Sequence, residues 1–462
     1  MKNPLLVPEL RELIEEGNFD ELRAFCEESH PGVVAEFLSA LPAEEAWAAL
    51  RHVGLERRAE VFNNLDEELQ TEIVERITRG EVAQLIGEMP HDDRADLIKR
   101  LPDETRDIIL PALAQAERED IRRLISYREG SAGAVMTSDY ATLSPELTAA
   151  EAIDRLRREA PDRETIYYAY VVDAQRKLRG FVSLKDLIVA RAGARIADLV
   201  HEDVISATVD DDQETAARRI QKYDLIALPV VDANGVLVGI ITHDDALDII
   251  TQEQTEDMEK LMAIAGAHEA GVYLRTPAWE HFRNRGYWVV GLAVLGIFSG
   301  VVIHSFEDAL AQLMILALYM PMLADTGGNT GSQAATVVVR ALALGEVTPR
   351  HVLRVLGKEF QVALLMGLVL GLLTFGKVLF LTHWFGVDTA GFTVTAVGAC
   401  IGVALGVQVL SATLIGALLP LGAARMNWDP ALVASPALTT AVDITGLLIY
   451  FTTARMLLGV GA

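Results

Sequence analysis

Residues 321–333 read Pro-Met-Leu-Ala-Asp-Thr-Gly-Gly-Asn-Thr-Gly-Ser-Gln. They lie inside an apolar run, Ala309–Val339, that exceeds the ~20 residues needed to cross a hydrocarbon core. Pro321, Gly327, Gly328 and Gly331 weaken helical hydrogen bonding, so a break in the helix is expected here. Irregular backbone at membrane depth is tolerated only against protein or a watery cavity. Asn329, Thr330, Ser332 and Gln333 supply neutral oxygens, and Asp325 adds a carboxylate. A carboxylate in hydrocarbon costs ~2.5–3.5 kcal/mol, so one at this depth reads as part of a pathway.

Four more runs of this kind follow or precede it: Tyr287–His304, Phe360–Leu381, Phe392–Ala423 and Ala431–Gly459. Five spans in one C-terminal half explain a composition that otherwise conflicts. The 462 residues carry 65 Asp+Glu against 40 Lys+Arg, net −25, yet mean hydropathy is +0.26. From Thr276 onward, nine acids and nine bases cancel, so the whole acidic surplus lies before it. A single globular domain is thereby excluded. Nucleic acid is excluded as a partner because phosphate binding needs a basic patch. Cys26 and Cys400 are too few and too far apart for a disulfide framework. Residues 1–16 lack a signal-peptide core.

Arg283, Arg285, Arg340, Arg350, Arg354, Lys358 and Arg425 fall on one side of the spans, and the loops at 304–308 and 382–391 hold no Lys or Arg. By the positive-inside rule, residues 1–285 are cytosolic and the C-terminus lies outside a cytoplasmic membrane. Tyr287, Trp288, Trp384 and Trp428 sit at span ends as interfacial anchors. Gly367/Gly371 and Gly398/Gly402, four apart, allow close helix approach.

In the last span, Ser435, Thr439 and Asp443 recur every four residues and form one polar stripe. One carboxylate with hydroxyls, an amide and carbonyls is a hard-oxygen environment. It suits Mg²⁺, which keeps much of its water and accepts one or two carboxylates. Two Asp443 across a two-fold axis would supply such a pair. Composition alone equally admits Ca²⁺, Mn²⁺, Co²⁺ or a proton-coupled solute. Five spans make a thin wall, which favours a homodimer.

The pattern Pro321-x6-Gly328-Asn329-x-Gly331-x-Gln333, with five spans and an Asp in the last, resembles the MgtE family of magnesium channels and transporters. The resemblance implies a homodimer with hydrated Mg²⁺ near Asp443. It further implies Gly328, Asn329, Ser332 and Thr336 of the second span, with Ser435 and Thr439 of the last, around the ion; Asp325 joins this set as the intramembrane carboxylate already read as part of a pathway. Ser332 and Ser435 stand where some family members have Asn.

The acidic half holds two repeats. Leu41, Val53, Leu65, Ile77, Met89, Leu101 and Leu113 stand at twelve-residue steps, several followed by Pro and acids. That spacing makes a short helix plus a turn, a solenoid-like helical module over residues 1–130. Residues 131–250 repeat a β-β-α unit: Val171-Val-Asp173, Gly180 and Ser183-x-x-Asp186 match Val230-Val-Asp232, Gly239 and Thr242-x-x-Asp245 at an offset of 59. This α/β region resembles a tandem CBS pair. In that family the Gly-x-x-Ser/Thr-x-x-Asp segment can hold a ribose, so ATP or another adenine nucleotide is a candidate ligand at Thr242 and Asp245, or Ser183 and Asp186. Residues 251–275 read as a connecting helix and 276–462 as the five-helix transmembrane domain.

Asp244, Asp245, Asp248, Glu253, Glu256, Asp257 and Glu259 form one acidic run into the connector, and Asp210–Asp212 with Glu214 form a second. The MgtE resemblance makes Glu60, Asp92, Asp96, Asp212, Glu214, Asp245, Asp248, Glu253 and Glu256 a cytosolic Mg²⁺ sensor. His91, His243, His268, His281, His304 and His383 show no ligand spacing for a softer metal. The reading is a Mg²⁺ channel or transporter closed by cytosolic Mg²⁺. The alternative is a Na⁺- or H⁺-coupled divalent-cation carrier regulated through its CBS pair. A catalytic role is not expected, since no nucleophile-base pair or phosphate loop stands out.

Overall fold

The computed structural model describes residues 4–160, 163–262, 264, 277–431 and 436–461. The chain divides into two compact units, Met1–Thr251 and Gln252–Ala462.

The first unit opens with ten helices: α1 (Val7–Glu16), α2 (Phe19–Glu28), α3 (Pro31–Leu38), α4 (Ala43–Leu50), α5 (Leu55–Asn63), α6 (Glu67–Arg76), α7 (Arg79–Gly87), α8 (His91–Arg100), α9 (Asp103–Ile109) and α10 (Gln115–Ile125). From α4 onward each begins two residues after one of the twelve-step apolar residues. Leu41, Val53, Leu65, Met89, Leu101 and Leu113 are all buried in one core, and Ile77 packs against it. The repeat has a polar counterpart five residues after the anchor. Arg58 donates to the carbonyl of Val53 at 2.8 Å and to those of Leu50 and Arg51. Gln70 donates to the carbonyls of Leu65, Phe62 and Asn63, and Arg94 to those of Met89 and Gly87. Each of these side chains thus satisfies carbonyls left open where the preceding helix ends.

Two three-stranded sheets follow. Strands β1 (Tyr140–Leu143), β2 (Thr165–Val172) and β3 (Leu178–Ser183) form one, and β4 (Ala207–Thr208), β5 (Ala227–Val231) and β6 (Leu237–Thr242) form the other. In each, the first pairing is parallel and the second antiparallel, as a duplicated unit requires. The flanking helices are α11 (Ala149–Glu159), α12 (Leu184–Val189), α13 (Ile196–Leu199), α14 (Gln213–Tyr223) and α15 (His243–Leu261). Glycine is needed at both matched positions. A Cβ on Gly180 would sit 2.5 Å from the His201 carbonyl oxygen, and one on Gly239 2.8 Å from that of Thr137. Tyr140 Oη donates to the Leu237 carbonyl at 2.9 Å, tying the sheets together.

α15 carries the chain out of the second sheet without interruption as far as Leu261. The connector expected to begin at Thr251 is therefore the continuation of an existing helix. Its remainder to residue 275, Ile264 apart, lies outside the described residues.

The second unit contains α16 (Ala278–Leu295), α17 (Ile297–Ser305), α18 (Glu307–Gln312), α19 (Ile315–Ala343), α20 (Val352–Phe385), α21 (Val394–Arg425) and α22 (Pro436–Leu458). Among the described residues, four stretches are long and apolar enough to cross a membrane: Ala278–Ser305, Pro349–Phe385, Val394–Arg425 and Ala437–Leu458. Their outer residues, such as Val289, Leu364, Leu368 and Leu372, are exposed apolar side chains suited to hydrocarbon. α19 has the length, with 29 residues, but its middle is polar.

The helix break expected at residues 321–333 is absent: α19 is continuous through Pro321, Gly327, Gly328 and Gly331. Its glycines serve close packing instead. A Cβ on Gly416 of α21 would lie 2.2 Å from the Gly331 carbonyl oxygen, so only glycine permits that crossing. The same device joins α20 to α21. Cβ atoms on Gly367 and Gly371 would each come within 2.9 Å of a carbonyl oxygen, of Gly406 and Gly402 respectively.

Candidate functional site

Continuity of α19 puts its polar residues in strict helical register. Asp325, Asn329, Ser332 and Thr336 fall on one face, which is open in the single chain, although Ser332 is half-buried. The opposite face, with Gly327, Gly331, Ala335 and Val338, is buried. Asn329 Nδ2 donates to Asp325 Oδ1 at 3.2 Å. Thr336 Oγ1 donates back to the Ser332 carbonyl at 2.9 Å, which leaves the hydroxyl oxygen able to accept.

Gly328 is buried against α22, where a Cβ would meet Thr439 Cγ2 at 3.5 Å. One turn further along α22 is Asp443, half-buried. Ser435 lies outside the described residues. Among the described residues, no three His, Cys, Asp or Glu side chains gather closely enough to hold a metal. What one chain presents is two polar helix faces with one carboxylate each, not a finished coordination shell.

Lys377, inside α20, escaped the sequence reading. Its Nζ lies 3.6 Å from Met322 Sδ of α19. It was legible as one of two basic residues inside the apolar runs, Arg455 being the other.

In the first unit, carboxylates repel one another with little compensation, Arg100 being the cation that acts on Asp93. Asp92 has its Oδ1 shut off from solvent and unpartnered. Burial drives its carboxyl well above the usual range, and Asp93, Asp245 and Glu164 add repulsion. Burial also lifts Asp93 to about 6, against a hydrogen bond from Asn63, with Asp245 and Asp96 repelling it. Glu164 is pushed up to about 7 by burial and then by Asp245, Asp93 and Asp244. Asp245 is raised by burial and by Asp244 and Asp248, although Thr242 donates to it. This cluster demands positive charge, whether protons or a cation. Asp93 and Glu164 were not among the sequence candidates. Asp93 adjoins Asp92 in the sequence, whereas Glu164 immediately precedes β2 and nothing in its surroundings along the chain marks it.

The other expected sensor residues are placed differently. Glu60 pairs with Arg57 at 2.6 Å, Asp96 with Lys99 at 2.9 Å and Glu214 with Arg218. Asp212 caps α14, accepting from the amides of Glu214 and Thr215. Asp248 is exposed, and Glu256 pairs with Lys260 at 2.8 Å. Glu253 lies further along α15, two turns beyond Asp245.

The two Ser/Thr-x-x-Asp segments act first as helix caps. Ser183 and Asp186 form a capping box at the start of α12, and the Thr242 amide donates to Asp245 at 3.2 Å. They differ in charge. Asp186 is held below the usual carboxylate range by the Ser183 hydroxyl and by His201, whose Nε2 is 3.1 Å away, despite some burial. Asp245 is pressed toward its protonated form.

Comparison with known proteins follows the same division. Residues 320–453 match the MgtE divalent cation transporter model, 29–130 the MgtE intracellular N domain, and 132–193 and 196–252 the CBS domain. The chain is 37% identical over 460 residues to the magnesium transporter MgtE of Thermus thermophilus, covering 98% of each. It is 31% identical over 439 residues to the magnesium transporter MgtE of Bacillus subtilis, covering 95% of this chain and 94% of that one. A crystal structure of the soluble part of a magnesium transporter superposes with a TM-score of 0.51 at 32% identity, covering 53% of this chain and 97% of that chain.

Proposed function

This chain belongs to the MgtE family of divalent cation transporters, and on that premise we propose how it moves Mg²⁺ and how it stops. It is a Mg²⁺ transporter of a membrane, with a helical N-terminal domain and a CBS pair on the cytosolic side. Five spans, α16–α17 together with α19, α20, α21 and α22, form its membrane domain, 276–462, with residues 1–285 inside and the C-terminus outside. The N-terminal module is 1–130, the CBS pair 131–250 and the connector 251–275.

The observation that carries this reading is the polar face of α19. Asp325, Asn329, Ser332 and Thr336 would face lipid if the chain stood alone, at a cost no membrane helix sustains. A second copy turns that face onto a water-filled axis shared with Thr439, Asp443 and Ser435. Hydrated Mg²⁺ then meets carboxylates from both protomers, with Gly328 leaving room at the crossing. Asp443→Ala in reconstituted liposomes is expected to abolish Mg²⁺ uptake. Wild-type uptake in that variant would overturn the pore assignment.

Closure follows from the cytosolic cluster. Asp92 and Asp245, with Asp93 and Glu164, repel one another until a cation bridges them. Glu60, Asp96, Asp212, Glu214, Asp248, Glu253 and Glu256 complete the acidic sensor. A state that holds more Mg²⁺ is favoured as Mg²⁺ rises, and the connector transmits the change to the pore. Rising Mg²⁺ is expected to protect residues 1–250 from proteolysis; unchanged digestion would remove the sensor.

An adenine nucleotide fits Ser183 and Asp186 better than Thr242 and Asp245. A ribose hydroxyl donates more strongly to an ionised carboxylate, and the hydrogen bonds from Ser183 and His201 favour that form at Asp186, whereas burial and neighbouring acids oppose it at Asp245. Loss of ATP binding in Asp186→Asn, by calorimetry, tests this. Nothing observed favours Na⁺ or H⁺ coupling or a catalytic activity.

A further inference from the structure

We propose that Gln408 of α21 is the positioning residue that sets Asp443 of α22 against the Gly327–Gly328 segment of α19. The idea rests on the reading of Asp443 as ion-facing. Gln408 is fully buried in a largely apolar helix whose other buried polar residue, Thr413, bonds back to its own helix at the Val409 carbonyl. Gln408 Nε2 donates to the carbonyl of Val442 at 3.0 Å, the peptide that leads directly into Asp443. Thr445 Oγ1 donates to the same carbonyl at 3.1 Å, so that oxygen is a junction between two helices.

Space for the amide is cleared from both sides. A Cβ on Gly327 would lie 2.4 Å from Gln408 Nε2, and a Cβ on Gly446 2.3 Å from the same atom. Two glycines on two different helices thus open one pocket, and the amide in it touches α19 and α22 at once. Gln408 Oε1 is buried with no partner among the described residues. A buried amide half-satisfied in this way carries a desolvation penalty that a methionine of similar length would avoid. Packing alone therefore does not account for it, whereas a fixed register between the two pore-facing helices does. A rotation of α22 by one residue would turn Asp443 by about 100° away from the α19 stripe.

The test uses the full-length protein in liposomes, with Mg²⁺ current recorded against external Mg²⁺. Gln408→Met keeps the volume and removes the donor. The expected result is a half-saturating Mg²⁺ concentration raised fivefold or more in protein that still elutes as the wild-type assembly. Gly446→Ala crowds the same amide while leaving Gln408 itself unsubstituted, and should shift the half-saturation in the same direction. It serves alone if Gln408→Met does not assemble. Unshifted half-saturation in the variants that assemble, whatever their yield, overturns the proposal. Wild-type current in Asp443→Ala would instead overturn the parent reading, so the two failures are distinguishable.

Discussion

The ammonium of Lys260 lies 3.2 Å from the carboxylate of Asp429, tying the last turn of α15 to the segment between α21 and α22. Lys260 also meets Glu256 at 2.8 Å. Its neighbour Leu261 packs on a buried cluster of Ala335 and Val339 from α19, Ala412 from α21, and Leu438 and Val442 from α22. The described part of the connector thus packs at Leu261 on the helices that carry Asn329 and Asp443. Lys260→Gln should loosen that grip and raise the cytosolic Mg²⁺ needed for half-closure. A partly exposed pair of this kind is worth ~0.2–1 kcal/mol, a shift of roughly 1.4- to fivefold. Patch recordings with varied cytosolic Mg²⁺ measure it, and the Lys260→Asp, Asp429→Lys exchange should bring the midpoint back.

The Asp92, Asp93, Glu164 and Asp245 cluster makes cytosolic stability depend on pH in a defined direction. All four carboxyls are raised above their unfolded values. The folded state therefore binds more protons between the ordinary carboxylate range and neutrality, and stability falls as pH rises through that window. With ordinary carboxylates at about 4, Asp93 near 6 and Glu164 near 7, the loss runs from about pH 4 to about pH 7. Without divalent ions, the cytosolic thermal transition should drop between pH 5.5 and 8. Added Mg²⁺ should restore it more at pH 8 than at pH 5.5. A transition independent of pH would show that the charges are compensated.

Asp92→Asn removes the carboxylate with a buried, unpartnered oxygen while keeping its shape. In Mg²⁺-free buffer this variant should melt higher than wild type, because a repulsive charge is gone. In saturating Mg²⁺ it should gain less. A melting scan with and without Mg²⁺ gives both numbers from one preparation.

These two outcomes mark what the sequence shows and what it hides. The twelve-residue period located seven helix starts, because burial of the anchors from Leu41 to Leu113 depends only on spacing along the chain. The 59-residue offset likewise matched Ser183 with Thr242 and Asp186 with Asp245. Glu164 could not be found that way: it reaches Asp93 and Asp245 only through the fold. Glycines in α19 were misread as a break, since local propensity carries no information about the partner helix. Gly331 and Gly416 show that the glycine was required by a neighbour 85 residues away in the chain. Gln408 was passed over for the same reason, as its role depends on Val442 and Gly446.

Arg94 tests whether the helical repeat is held by its polar side chains as well as its apolar anchors. Its guanidinium is buried and donates to the carbonyls of Gly87 and Met89. Burial lowers its pKa, yet the charge persists at any physiological pH. Arg94→Met retains the stem and strands two buried acceptors, a loss of about 1–3 kcal/mol. The cytosolic transition should fall by several degrees in thermal melts at high Mg²⁺. Arg79→Met, at an exposed helix start, should leave it in place.

The glycine contacts of the membrane domain predict a graded response to added methyl groups. At Gly416 the obstacle is the Gly331 carbonyl, backbone that cannot swing aside, at 2.2 Å from the new Cβ. Overpacking usually costs ~1–3 kcal/mol when side chains can yield. Here whole helices must separate, so Gly416→Val should give no monodisperse protein in detergent. At Gly371 the approach to Gly402 is 2.9 Å, and alanine should lower thermal stability without abolishing assembly. Gly422 has nothing within 4 Å of a built Cβ, and its alanine variant should behave as wild type or better, since alanine favours the helix. Size-exclusion profiles and melting of the three variants side by side would show the order. Equal tolerance at Gly416 and Gly422 would mean that α19 and α21 do not cross at this distance.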